Sequence, residues 1–199
     1  MIEKQTRAGK EMILEKAEKL FTEHGYQAVS IRDIADLCGV TNAALYYHFD
    51  DKASLFLEVM KRHTQKLSER LSQAGAGFDS SEKKITEMAK VYMKMVSNQR
   101  PFMFLIRHHG KKVKETGHPS QFIDMVKDVL GPFDEVLDQA VEDGEIKPFP
   151  DGCSGASLLL GMIHGLSGIR RIKTGHPIGD EDIERVVDYF WHGIKSDRT

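Results

Sequence analysis

Between Ser30 and Lys52 the chain places side chains that can hydrogen-bond an anion or the edge of a base: Ser30, Thr41, Asn42, Tyr46, Tyr47, His48 and Lys52, with small Ala43 and Ala44 among them. Hydroxyl, amide and imidazole groups on a short helix suit a major groove and its phosphates, and the alanines permit close approach. The alternative is an ordinary helical hairpin with a solvated face. Other reactive residue types are arranged less tellingly. His108, His109 and His118, with Asp124 nearby, match no zinc spacing, and adjacent histidines on a helix point about 100° apart. No nucleophile elbow, phosphate loop or dinucleotide glycine motif occurs. The expectation is therefore no enzyme, no metal and no cofactor.

Short-range signals define the elements that must hold these groups. Ser30 is a good N-cap, and Asp33 three residues on can return the bond, a capping box ahead of Ile31, Ile34, Ala35 and Leu37. Gly39 can take a positive φ without penalty, Val40 suits the inside of a corner, and Thr41 starts a second helix. On that helix Leu45 and Phe49, four apart, face inward. Two short helices joined by a glycine turn make a helix-turn-helix. Upstream, Ile13, Leu14, Ala17, Leu20 and Phe21 keep a helical period from about Thr6 to His24-Gly25, giving a helix that braces the pair. Residues 1–5 read as a mobile arm, with Lys4 and Arg7 in reach of a phosphate or minor groove.

Downstream, Asp50 or Asp51 caps a helix over 51–74 with Leu55, Phe56, Val59, Met60, His63, Leu67 and Leu71 on its stripe. A helix capped by Ser80 or Ser81 runs to about Asn98, a short apolar segment spans 102–106, and Pro119 opens a long helix that Gly131-Pro132 should kink or split. After a proline-rich loop, 153–173 is studded with Ser157, Gly161, Gly165 and Gly168, whose spacing lets another helix come close. The last helix, 180 to about 195, is broadly apolar. With no strand alternation anywhere, the chain reads as all-α.

The 199 residues carry a formal charge of −2, and the first 50 hold six basic against eight acidic residues, so any affinity for nucleic acid must come from local placement. Cys38 and Cys153 read as reduced, buried small hydrophobes in a cytoplasmic protein. The chain lacks a signal-peptide pattern, and its longest apolar run is too short for a bilayer. No membrane association is expected.

The stretch containing Ile34-Ala35, Gly39-Val40-Thr41, Leu45-Tyr46-Tyr47-His48-Phe49, Lys52 and Leu55, with residues 14–25 before it, resembles the DNA-binding domain of the TetR family of bacterial transcriptional regulators. The likeness covers about the first 60 residues. It implies a helix-turn-helix DNA-binding domain over 1–50 and a ligand-binding and dimerisation domain over 51–199, joined by helix 51–74. It also implies a repressor released from a palindromic operator by a small apolar or amphipathic effector. By this resemblance Thr41, Asn42, Ala43 and Ala44 enter the major groove, while Ser30, Tyr46, Tyr47, His48 and Lys52 hold phosphates of the double-stranded operator; Ala44 departs from a common threonine or serine. An excess of soft and aromatic side chains, which simple packing explains equally well, together with the family's habit of keeping a pocket among these helices, points to Tyr92, Met95, Phe102, Met103, Phe104, Phe122 and Met125 as effector contacts. His108, His109 and His164 would supply its polar contacts. The glycine-faced helix and the last apolar stripe suggest a homodimeric four-helix bundle using Ser157, Gly161, Gly165, Val187, Phe190, Trp191 and Ile194.

Overall fold

The computed structural model describes residues 2–97 and 119–195. Eight helices occur among these: α1 Ile2–His24, α2 Ile31–Cys38, α3 Asn42–Tyr46, α4 Lys52–Gly75, α5 Ser81–Ser97, α6 Pro119–Glu142, α7 Gly155–Thr174 and α8 Asp180–Ile194. The described residues form no sheet, only an isolated bridge between Ile146 and Lys195. The expected all-α architecture is the one observed.

The chain divides into two compact units, and the division falls inside helices: between Thr64 and Gln65 in α4 and between Met125 and Val126 in α6. In the first unit, α1 packs on α2 and α2 on α3. Ile13, Leu14, Ala17 and Phe21 of α1 are buried, as are Ile34, Ala35, Leu45, Phe49, Leu55 and Val59. Phe21, Tyr26 and Phe56 form an aromatic cluster, with Phe21 edge-on to Phe56 at 5.1 Å between centroids. In place of the expected arm, α1 begins at Ile2. Residues 3–5 are Glu, Lys and Gln, good helix formers that let the helix extend outward from its packed turns.

In the second unit α8 packs against α5 and α7. Ion pairs reinforce the packing: Lys90 bridges Glu87 and Glu184, Lys94 meets Asp180, and Arg170 meets Asp182. The core takes Ile85, Met88, Ala89, Tyr92, Phe133, Leu137, Leu159, Ile163, Val187 and Trp191. α6 runs through Pro132 as one element, so of the expected kink or split the helix is not split. Pro132 and Phe133 are both buried, and this anchoring compensates for the hydrogen bond that proline cannot make. Asp134 of α6 caps the start of α7, accepting from Ser154 Oγ at 2.9 Å and the Ala156 amide at 3.0 Å. A carboxylate there also complements the helix dipole.

Neither cysteine is a buried hydrophobe as expected. Cys38 is half-buried and Cys153 exposed, both as free thiols. Each lies at a helix boundary, where the chain turns back toward solvent. No helix of the described residues is long and apolar enough to cross a membrane.

Candidate nucleic-acid interface

Local hydrogen bonds fix the surface around α3. Ser30 Oγ accepts from the Asp33 amide at 3.1 Å, and the Asp33 carboxylate accepts from the Ser30 amide at 2.8 Å, completing the expected capping box. Ser30 Oγ also donates to Asp33 Oδ2 at 2.7 Å, and these bonds hold the Asp33 carboxyl below its ordinary pKa. The Ser30 hydroxyl proton is thus committed beside a negative charge, which disfavours the expected phosphate contact through that hydroxyl. Gly39 sits at φ 68°, the left-handed conformation the turn requires, and its amide closes α2 onto Ala35 and Asp36 carbonyls.

Thr41 differs from Ser30 in a way that matters. Its Oγ1 accepts from the Ala44 amide at 3.2 Å, capping α3 while leaving the hydroxyl proton available to donate outward. Leu45 and Phe49 anchor the inner side. Thr41, Asn42, Ala43, Ala44, Tyr46 and Tyr47 are all exposed, and Tyr47, at 76% exposure, has almost its whole ring free. His48 is half-buried, 5.1 Å from the Tyr47 ring. Asp51 and Ser54 cap α4 reciprocally, which answers the choice between Asp50 and Asp51. Beside this cap, Lys52 Nζ lies 4.3 Å from the Tyr26 ring centroid, a cation–π contact. Burial pushes the Lys52 pKa down, partly offset by Asp33. The structure therefore brings the nine expected DNA-binding residues onto one capped segment.

Only some of the expected effector residues fall among the described residues. Phe102, Met103, Phe104, His108 and His109, and the side chain of Phe122, lie outside the described residues. Met95 is half-buried and Met125 buried. Tyr92 Oη and His164 Nε2 meet at 2.6 Å, with Tyr92 edge-on to Phe133. Burial raises the Tyr92 phenol and lowers the His164 imidazole, so both are neutral near neutral pH. A separate open groove of about 580 Å³, lined by Asp134, Asp138, Phe149, Asp151 and Cys153 among others, includes none of the expected effector residues. The described residues contain no cluster of three or more His, Cys, Asp or Glu suited to a metal.

Of the residues expected at a dimer interface, Val187, Phe190 and Trp191 are instead buried within the chain itself. Ser157, Gly161 and Gly165 are exposed, and Ile194 is half-buried. Sequence reasoning missed Leu158, Met162, Leu166 and Ile169, which form an exposed apolar stripe along α7, with Leu158 at 47% and Ile169 at 55%. Their i, i+4, i+8, i+11 spacing was the available signal.

The capped α2-turn-α3 unit and its exposed polar face define a helix-turn-helix DNA-binding protein of all-helical build. Residues 13–59 match the family described as bacterial regulatory proteins, tetR family. Over 181 residues the chain is 22% identical to the transcriptional repressor KstR2 of Mycolicibacterium smegmatis, covering 90% of this chain and 86% of that one. It is 29% identical over 166 residues to the repressor BepR of Brucella suis, covering 78% and 77%. Among solved structures, a protein of unknown function from Rhodococcus sp. RHA1 superposes with a TM-score of 0.77 at 22% identity, covering 94% and 96%. FadR of Bacillus subtilis in complex with stearoyl-CoA superposes with 0.72 at 16% identity, covering 92% and 98%. The chain thus carries, over residues 13–59, the segment characteristic of the tetR family of bacterial regulatory proteins.

Proposed function

We propose that this regulator acts in the cytoplasm as a homodimeric repressor of transcription, with no catalytic role, released from a near-palindromic operator by a small amphipathic effector. The observation that carries the DNA-binding part is the α3 surface: Thr41 has its hydroxyl proton free for a base or phosphate, and Asn42 can bond a base bidentately. Ala43 and Ala44 let the helix approach, Tyr46, Tyr47 and His48 flank it over the phosphates, and Lys52 neutralises one. Ser30 contributes by capping α2 through its hydroxyl oxygen and not by donating to a phosphate. Two relatives named as repressors, KstR2 and BepR, support the direction of control.

Homodimerisation is favoured by the α7 stripe. Leu158, Met162, Leu166 and Ile169 expose apolar side chains with Gly161, Gly165 and Gly168 between them, and a Cβ at any of these glycines would meet nothing within 4 Å. Such a face suits a second copy related by a two-fold axis. Domain roles follow, with the DNA-binding domain over 1–50, the effector and dimerisation domain over 51–199, and α4 joining them.

Support for the effector comes from Tyr92 and His164. As a neutral pair they hold two titratable protons and share one bond, so one proton remains to donate to an oxygen of the ligand. An amphipathic molecule with an acceptor group fits that requirement, and the FadR complex with stearoyl-CoA is an instance of such chemistry on this fold.

Selection of bound sequences from random duplex DNA tests the reading. It should return a near-palindrome with half-sites about one helical turn, ~34 Å, or somewhat more apart. Candidate effectors are then titrated with and without the selected duplex. An inducer must bind more weakly in its presence, by the same factor with which it weakens DNA binding. Equal affinities would sink the inducer reading, and no selected sequence would sink the operator reading.

A further inference from the structure

Two charge pairs of opposite polarity and one histidine–carboxylate contact join α1 to α4. Lys10 Nζ lies 3.1 Å from Glu58 Oε2, Arg62 Nη1 3.0 Å from Glu11 Oε2, and His63 Nε2 3.0 Å from Glu18 Oε1. Partly exposed pairs of this kind contribute little stability one at a time. Their consequence is register. Ile13, Leu14 and Val59 are buried on the same two helices, but apolar burial is non-directional and tolerates sliding. Charges do not. A slide of α4 by one turn, about 5.4 Å, sets Glu11 against Glu58; the opposite slide sets Lys10 against Arg62. Both bring like charges together. Arg62 Nη1 is buried and meets Glu11 without hydrogen-bond alignment, so this contact acts as charge on charge, where sign decides. Lys10 also lies 5.4 Å from the ring centroid of Phe49, the buried anchor just beyond α3, which ties the seam to the recognition segment.

We propose that Lys10, Glu11, Glu58 and Arg62 are positioning residues that lock α1 in one register on α4 and thereby fix the angle at which α2 and α3 are offered to DNA. This rests on the DNA-binding reading above. Since α1 carries α2, and α2 carries α3, a change of register re-aims Thr41 and Asn42 without touching them.

The test compares Glu11→Arg, Arg62→Glu and the double swap, with Glu11→Gln as a milder variant should a reversal fail to fold. Without DNA, methyl NMR of Ile13 and Val59 reads the register. With DNA, affinity is measured for the selected operator and for versions one base pair longer or shorter between half-sites. Each reversal should shift the methyl resonances, weaken the best operator about tenfold, and flatten the preference for its spacing. The double swap should restore all three, which a merely stabilising role would not predict for spacing. Unmoved methyls in every variant overturn the lock, and moved methyls with unchanged spacing preference overturn its role in DNA binding. If the wild type selects no DNA, the operator reading fails and this positioning role falls with it, while the methyl spectra still decide whether the register lock exists.

Discussion

Two exposed helical faces carry contrasting chemistry. Around α3 the exposed residues are hydroxyl, amide and phenol groups fixed by short-range caps, whereas along α7 they are Leu158, Met162, Leu166 and Ile169 separated by glycines. Water satisfies the first face whenever DNA is absent, so its partner can come and go. The second face loses the hydrophobic contribution for as long as it stays wet, which favours a permanent partner. A regulator needs both kinds, one to switch and one to hold.

Leu45→Ala gives the largest expected effect. Leu45 is fully buried under the α3 surface, and its truncation should cost about 2–5 kcal/mol. Denaturation should show the helix-turn-helix region lost while sedimentation is unchanged; operator binding that survives would mean the polar face of α3 does not depend on the Leu45 anchor. Next in size, Leu158→Glu with Met162→Glu should weaken self-association about a hundredfold and leave the helical content intact. A variant that sediments like the wild type would place the permanent partner elsewhere.

Thr41→Ala removes a cap and a donor together. It should cost about 1 kcal/mol of stability and reduce operator affinity, whereas Thr41→Ser should keep both, as read by melting and by fluorescence anisotropy. Lys52→Ala should weaken all DNA sequences alike and reduce the salt dependence by about one unit of slope. A change in sequence preference would move Lys52 among the base-reading residues.

The smallest effect concerns pH. Burial holds folded His164 below its ordinary pKa of 6.5, so on acidification the unfolded chain takes up the proton first. This contribution to stability is complete above pH 6.5 and declines below it, down through the folded pKa. Melting temperature should therefore fall more steeply with acid in the wild type than in His164→Phe. Parallel pH profiles would show that the Tyr92–His164 pair is not held neutral by burial.

The recognition segment was legible because its devices act over three or four residues. Ser30 and Asp33, Gly39, Thr41, and the inward pair Leu45 and Phe49 all stand in the structure as their spacing required. Local chemistry of this kind needs no knowledge of the rest of the chain. Even there, the full engagement of Ser30 was not legible, since spacing alone does not say that the capping hydroxyl also donates to Asp33.

What the chain by itself determined was the order and type of its helices, the caps and the glycine turn, and the polar character of α3. Tertiary structure decided which apolar stripe meets which surface. An amphipathic pattern says that a face is buried without saying against what, so Val187, Phe190 and Trp191 suited a second copy as well as they suit their own protomer. Packing of α8 against α5 and α7 assigned them inward and left Leu158, Met162, Leu166 and Ile169 outside. In the same way, Tyr92 and His164, 72 residues apart, became one hydrogen-bonded pair only because folding brought their helices together, a non-local contact that no short-range signal encodes.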